Sequence, residues 1–201
     1  MERRLISQRQ DLRTKVENTS IFDDFRDVLG YNILDYALIK KRFEMADTEK
    51  KNYTVRPMEE NDYPGLKALW MTIHGFGIRS IDDSEEGVVR FLRRNPGQSV
   101  VAVNDEGEIV GGILCGNDGR RGTLYHVCVR EDYRRRGIGK SMVVHCMNAL
   151  KEEKINKVSL IAFSVNDIGN AFWRQIGWTR REDLNYYDFV LNDENITTFN
   201  K

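Results

Sequence analysis

Between residues 123 and 152 the chain passes from an apolar strand, through a turn crowded with arginine and glycine, into a helix. "TLYHVCV" (123–129) carries apolar residues at both parities, as a strand covered on both faces does. "YRRRGIGKS" (133–141) follows, and Ile138, Met142, Cys146 and Ala149/Leu150 then recur at helical spacing. A chain that enters a helix in this way leaves the first-turn N–H groups unpaired and the positive end of the dipole exposed. Gly137 and Gly139 have no Cβ to hold an anion off the backbone, and they admit the positive φ values of an anion nest. Arg134, Arg135, Arg136 and Lys140 add charge around the same point, so the segment suits a pyrophosphate. It has neither the GxxxxGK[ST] spacing of a P-loop nor the GxGxxG of a dinucleotide site. Taken alone, it also fits a helix start with solvated arginines.

Charge and cysteine usage narrow the alternatives. The 31 Lys and Arg cancel the 31 Asp and Glu, so no overall field draws the chain to nucleic acid, which is not expected as a partner. Cys115, Cys128 and Cys146 are odd in number, form no CxxC pair and fall in apolar elements, as reduced buried thiols do. No apolar run approaches a membrane span, and "MERRLISQRQ" lacks the apolar core of a signal peptide. These features lead us to expect a cytoplasmic protein that binds no membrane.

Residues 1–52 stand apart. Ile21, Phe22, Phe25, Val28 and Leu29 fall at helical spacing, Gly30 interrupts, and Ile33, Leu34, Ala37 and Leu38 resume the pattern. These stripes are too narrow for a core of their own. A helical N-terminal extension is expected, packed on the main domain or on a second copy, which makes a homodimer possible. From Tyr53 to Lys201 a second pattern runs. "YTVRP" reads as a strand, and Leu66, Leu69, Trp70 and Ile73 mark a helix opening near Asn61 or Asp62. "DDSEE" offers two capping boxes, Asp82 with Glu85 and Asp83 with Glu86, ahead of a second helix. "QSVVAVNDEGEIVGGILCG" is a hairpin, and "KVSLIAFSVN" a buried strand. "NDIGNAFWRQIGW" is a short helix, and "TRRED" and "YYDFVL" are two final strands. The expected order is β-α-α-β-β-β-α-β-α-β-β. The fold class is α/β (α+β), with a mixed, mostly antiparallel central sheet flanked by helices.

Two motifs carry a resemblance. Arg134-x-x-Gly137-x-Gly139 after an apolar strand resembles the [QR]xxGx[GA] motif of the GNAT superfamily of N-acetyltransferases. Asn166, Ala171-Phe172-Trp173 and Gly177-Trp178 resemble that superfamily's N…(A)xxFYxxxGF helix. The similarity spans residues 53 to 191. It implies the acyl-CoA N-acyltransferase fold, with acetyl-CoA as cosubstrate, a primary amine as acceptor and no metal. It further implies that acetyl-CoA lies between the strands at 123–129 and 157–164. The backbone of Val127, Cys128 and Val129 would pair with the pantetheine, and the amides from Arg135 through Gly137, Ile138 and Gly139 to Lys140 would hold the pyrophosphate. Asn166 and Phe172 would meet the pantetheine arm, although Phe172 also lies on an apolar stripe with Ile168 and Ile176.

The chemistry singles out His126. An amine with a pKa near 10.4 is neutral in only about one molecule in two thousand at pH 7, so a base helps. His126 interrupts an otherwise apolar strand, and an imidazole titrates near neutrality; a hydrogen-bonded structural histidine is the competing reading. His74 is the alternative base, and Trp70, His74 and Tyr125 are candidates for the acceptor pocket. Trp173 stands where the superfamily places a tyrosine acid, and an indole N–H cannot serve as one near neutral pH. Cys128, buried in an apolar strand, is a poor nucleophile. Direct transfer in a ternary complex is therefore expected over an acyl-enzyme. The missing tyrosine leaves a second reading, a catalytically silent acyl-CoA-binding or regulatory module whose N-terminal helices bind a partner.

Overall fold

The computed structural model describes residues 52–200; apart from Asn52, the helical extension expected over 1–52 lies outside the described residues. In chain order the described elements are β1 (Tyr53–Pro57), α1 (Tyr63–Thr72), β2 (Gly77–Arg79), α2 (Glu85–Arg94), β3 (Val100–Asn104), β4 (Ile109–Asn117), β5 (Gly122–Val129), α3 (Ile138–Glu152), β6 (Val158–Leu160), α4 (Asp167–Gln175) and β7 (Thr197–Phe199). Five strands form one sheet in the order β1-β3-β4-β5-β6. Every pairing is antiparallel except the last, where β6 joins β5 in parallel. The sheet is mixed and mostly antiparallel, as the sequence led us to expect.

Alternation along the strands sorts side chains between two cores. Val100 and Ala102 of β3, and Ile113 and Cys115 of β4, pack beneath Ile138, Met142, Val143, Cys146 and Leu150 of α3. Their neighbours Val101 and Leu114 face the other way, onto Leu66, Leu69 and Trp70 of α1 and Val88 and Leu92 of α2. Both helices form where their apolar spacing and end chemistry agree. Pro64 sits in the first turn of α1, whose N-cap is Asp62. In α2, Glu85 and Glu86 lie at the positive end of the dipole, and Arg93 and Arg94 at the negative end.

The N-cap of α2 departs from the expected capping boxes. Ser84 does the capping, its Oγ accepting the Gly87 N–H at 3.1 Å and donating to the Ile81 carbonyl at 2.6 Å. A serine hydroxyl at this position reaches the first-turn amide, which leaves Asp83 for other partners.

The C-terminal third differs more. Of "KVSLIAFSVN", only Val158–Leu160 is strand, half exposed rather than buried; Ile161, Phe163 and Val165 are exposed. "TRRED" and "YYDFVL" form no strands. Residues of strand type make a strand only where a neighbour takes their backbone groups. None does here among the described residues, and "TRRED" instead forms local ion pairs, Arg180–Glu182 and Arg181–Asp183. The last strand is β7, which pairs antiparallel with β2. Both are three residues long, too short for a period to show. Asn200 Nδ2 fastens this end to the carbonyls of Trp70 and Ile73.

Gly87 is fixed by contact. A Cβ there would strike the backbone carbonyls of Asp82 and of Ile81, the latter at 2.5 Å. An exposed helical Gly→Ala change normally gains about 1 kcal/mol, whereas overpacking costs about 1–3 kcal/mol. Gly87→Ala should therefore lower stability in a urea melt, and Ser84→Ala should lower it by about 1 kcal/mol. A Gly87→Ala protein more stable than the parent would refute this packing.

Candidate active site

The ladder between β4 and β5 breaks at one place. Gly111 pairs with Val129 and Gly112 with Cys128, but Leu114 pairs with Tyr125, so Ile113 alone opposes both His126 and Val127. This is a β-bulge, and its first residue, His126, has φ +51°. A left-handed non-glycine residue costs on the order of 1–3 kcal/mol, so surrounding contacts must hold it there. The extra residue also inverts the alternation. Leu124, Val127 and Val129 pack on the α3 side, while Cys128 belongs to the α1/α2 core. Tyr125 stands edge-on to Phe91 at 5.9 Å, on that same α1/α2 side.

His126 turns to the α1/α2 side as well. Its ring centroid lies 4.8 Å from that of Trp70 and 4.8 Å from that of Phe76. Its Nε2 is 2.6 Å from Asp83 Oδ1, with the imidazole 14% and the carboxylate 5% exposed. The other carboxylate oxygen, Oδ2, accepts the Arg79 N–H at 2.6 Å, and the Asp83 carbonyl accepts the Tyr63 hydroxyl at 3.0 Å. Burial pushes the Asp83 carboxyl up. The His126 hydrogen bond and charge, with the Arg79 N–H and charge, outweigh that and hold it below the ordinary carboxylate value.

Beyond Leu124 the sheet opens. β5 and β6 pair only over Gly122–Leu124 and Val158–Leu160, so from Tyr125 to Val129 the outer edge of β5 has no strand beside it among the described residues. The start of α3 follows directly. Arg135 has φ +62° and the N-cap residue Gly137 φ +82°, two left-handed residues that turn the chain into the helix. Gly139 lies under Phe172: a Cβ there would meet the ring at 3.3 Å. The three arginines divide their work. Arg134 Nε donates to the Val129 carbonyl at 3.2 Å, and Arg136 donates to the Asp132 carbonyl and lies 4.6 Å from the Tyr133 ring centroid. Arg135 is exposed. Lys140 is half-buried, which lowers its pKa.

The remaining expected site residues fall as follows. Val127 and Val129 are half-buried and Cys128 is buried. Burial pushes the Cys128 thiol up to about 12, so it stays protonated near neutral pH. Asn166 caps α4, its Oδ1 accepting the Gly169 N–H at 2.9 Å. Phe172 packs against the α3-side core and Trp173, whose ring in turn lies 4.9 Å from Trp178. Trp70 is wholly buried, which moves it from the pocket wall expected for it to the floor beneath His126; its Nε1 has no hydrogen-bond partner among the described residues. His74 is exposed in the turn after α1, and Tyr125 is 49% exposed. Nothing in the sequence marks Asp83 or Phe76 as a neighbour of His126. In the sequence, Asp83 fits a helix cap with Glu86, but Ser84 directly after it fills that post.

Four similarities bear on this geometry. An acetyltransferase of Pectobacterium atrosepticum is 32% identical over 114 residues, 56% of this chain and 78% of that protein. Among solved structures, an aminoglycoside acetyltransferase from an uncultured soil metagenomic sample, in complex with sisomicin, superposes with a TM-score of 0.56. It is 22% identical, over 70% of this chain and 97% of its own. AAC(6′)-Iy in complex with the bisubstrate analog CoA-S-monomethyl-acetylneamine gives 0.55, at 15% identity over 70% of this chain and 99% of its own. The Acetyltransferase (GNAT) family matches residues 63–178, from the first residue of α1 to Trp178 just past α4. That span holds the bulged strand, the α3 N-terminus and the Asp83–His126 pair, and the chain belongs to this family of acetyltransferases.

Proposed function

We propose that the protein moves an acetyl group from acetyl-CoA directly to a primary amine of a second bound substrate. The observation that carries this reading is the parting of β5 from β6 immediately beside the α3 N-terminus. A strand edge with no neighbouring strand among the described residues and the start of a helix, each fitted to one part of the donor, meet at one place. The solved relative bound to a CoA-containing analog supports the same donor.

In this reading the backbone of Val127–Val129 pairs with the pantetheine, and the amides from Arg135 to Lys140 take the pyrophosphate. Arg135 supplies exposed charge there, while Arg134 and Arg136 brace the turn that presents the amides. Phe172, resting on Gly139, forms the wall beside them. Asn166 meets the arm through its amide N–H groups, since its oxygen caps α4.

Transfer requires a neutral amine, a stabilised oxyanion and a departing thiolate. His126 takes the amine proton, directly or through one water. A β5 N–H, from Val129 or a neighbour, steadies the oxyanion as the tetrahedral centre forms. The thiolate then leaves as the carbonyl reforms, a fair leaving group because an ordinary thiol has a pKa of about 8.5. Trp173 offers no proton, so this route asks none of it. Cys128, held protonated by its burial, plays no covalent part. The acceptor enters from the α1/α2 side, past Tyr125 and the turn bearing His74.

Two variants test the cradle. Asn and Asp both tolerate a left-handed backbone, so Gly137→Asn and Gly137→Asp differ chiefly by one charge. Gly137→Asp should bind acetyl-CoA at least about tenfold more weakly than Gly137→Asn in a calorimetric titration; equal affinities would refute the pyrophosphate assignment.

His126→Asn keeps a residue suited to the bulge and removes the base. It should lower kcat by about 10²–10⁴ with acetyl-CoA affinity nearly unchanged. Cys128→Ala should retain turnover, and coenzyme release should require an added amine. Full activity in His126→Asn would return the histidine to a structural role. Loss of all activity in a folded Cys128→Ala protein would favour an acyl-enzyme.

A further inference from the structure

We propose that Asp83 is a positioning residue for the transfer: by accepting the Nε2–H of His126 it fixes the imidazole tautomer and so makes Nδ1 the nitrogen that receives the amine proton. The proposal rests on the reading of His126 as the base and adds which of its nitrogens acts, and why.

Proton accounting leads there. An ionised carboxylate offers lone pairs and no proton. Asp83 Oδ1 lies 2.6 Å from Nε2, and the bond exists only if Nε2 carries the hydrogen. Neutral His126 therefore has its lone pair on Nδ1. The carboxylate has little freedom to serve otherwise. Oδ2 is held by the Arg79 N–H, the Asp83 N–H donates to the Arg79 carbonyl at 3.1 Å, and Tyr63 holds the Asp83 carbonyl. Trp70 and Phe76 flank the imidazole, restricting its rotation about the Cβ–Cγ bond. The left-handed backbone aims the side chain at all three groups.

The step balances without any further reactant. As the amine nitrogen bonds to the thioester carbon, its proton passes to Nδ1 and the carbonyl π electrons move to oxygen. The resulting imidazolium lies against the Asp83 carboxylate in a nearly dry site, where a charge-assisted hydrogen bond is strong. Collapse of the tetrahedral centre restores the carbonyl and expels the thiolate, and the proton held at Nδ1 passes to the thiolate or to water, resetting the pair.

The direct test is ¹⁵N NMR of the full chain labelled in histidine, with His126→Asn used to assign its signals. Above the pH at which the ring is charged, Nε2 should appear protonated and Nδ1 unprotonated. Asp83→Asn should lower kcat by about 10²–10⁴ with little change in acetyl-CoA affinity, because an amide can present N–H to Nε2 and reverse the tautomer. Asp83→Glu, which keeps the carboxylate, should recover part of the loss. A wild-type spectrum with the hydrogen on Nδ1 would overturn the proposal even if Asp83→Asn failed to fold. So would an Asp83→Asn enzyme with parental kcat beside an inactive His126→Asn enzyme. Full activity in His126→Asn would instead remove the reading beneath it.

Discussion

A single left-handed residue in β5 organises the site. Without the extra residue at 126–127, strand alternation would place His126 on the α3 side and Cys128 with it. With it, Tyr125 and His126 both turn toward α1 and α2, and Cys128 joins the core formed by Leu66, Leu69 and Trp70. The backbone cost, on the order of 1–3 kcal/mol, is offset by contacts made only in this geometry: a 2.6 Å hydrogen bond to a buried carboxylate and two aromatic faces. The pairing of β5 with β6 ends at Leu124, next to the bulge, and the strand edge beyond it is where the donor's pantetheine is proposed to lie. The candidate base and the proposed donor edge thus lie beside one irregularity.

The arginine-rich turn illustrates a division between shape and charge. Its sequence invites the view that three guanidinium groups surround a phosphate. In the fold, Arg134 ties the turn to the end of β5 and Arg136 folds back over Tyr133, beside Arg130. What they secure is the backbone path through Arg135 and Gly137, both left-handed, at the start of α3. Recognition of a pyrophosphate by the amides there depends on that path more than on the count of positive charges. Gly139 serves differently, by admitting the ring of Phe172 to within van der Waals distance of the helix.

Much of this was legible in the sequence where long periodic elements meet firm end signals. The hairpin of β3 and β4, the stripes of α1, α2 and α3, and the strand-to-helix turn all carry their apolar period and their glycines in plain view. The candidate base was visible too, as the polar residue in an apolar strand. Its partner was not. Asp83 lies 43 residues away in a segment whose charges match a helix start, and only the tertiary fold shows that Ser84 caps while Asp83 turns inward. The bulge left no mark, because nothing about "YHVC" announces a positive φ. At the C-terminal end, apolar residues of strand type misled, since β structure requires a neighbouring ladder that composition alone does not provide.

In the proposed reading the donor lies along the outer edge of β5 and ends at the α3 N-terminus, with its thioester within reach of His126. A crystal structure of the full chain with acetyl-CoA tests it most directly. Pantetheine should be hydrogen-bonded to the backbone between Val127 and Val129, pyrophosphate oxygens should lie within about 3 Å of amides between Arg135 and Lys140, and the acetyl group should lie on the His126 side of the strand. Acetyl-CoA bound elsewhere, or bound here with its acetyl group directed away from His126, would contradict it.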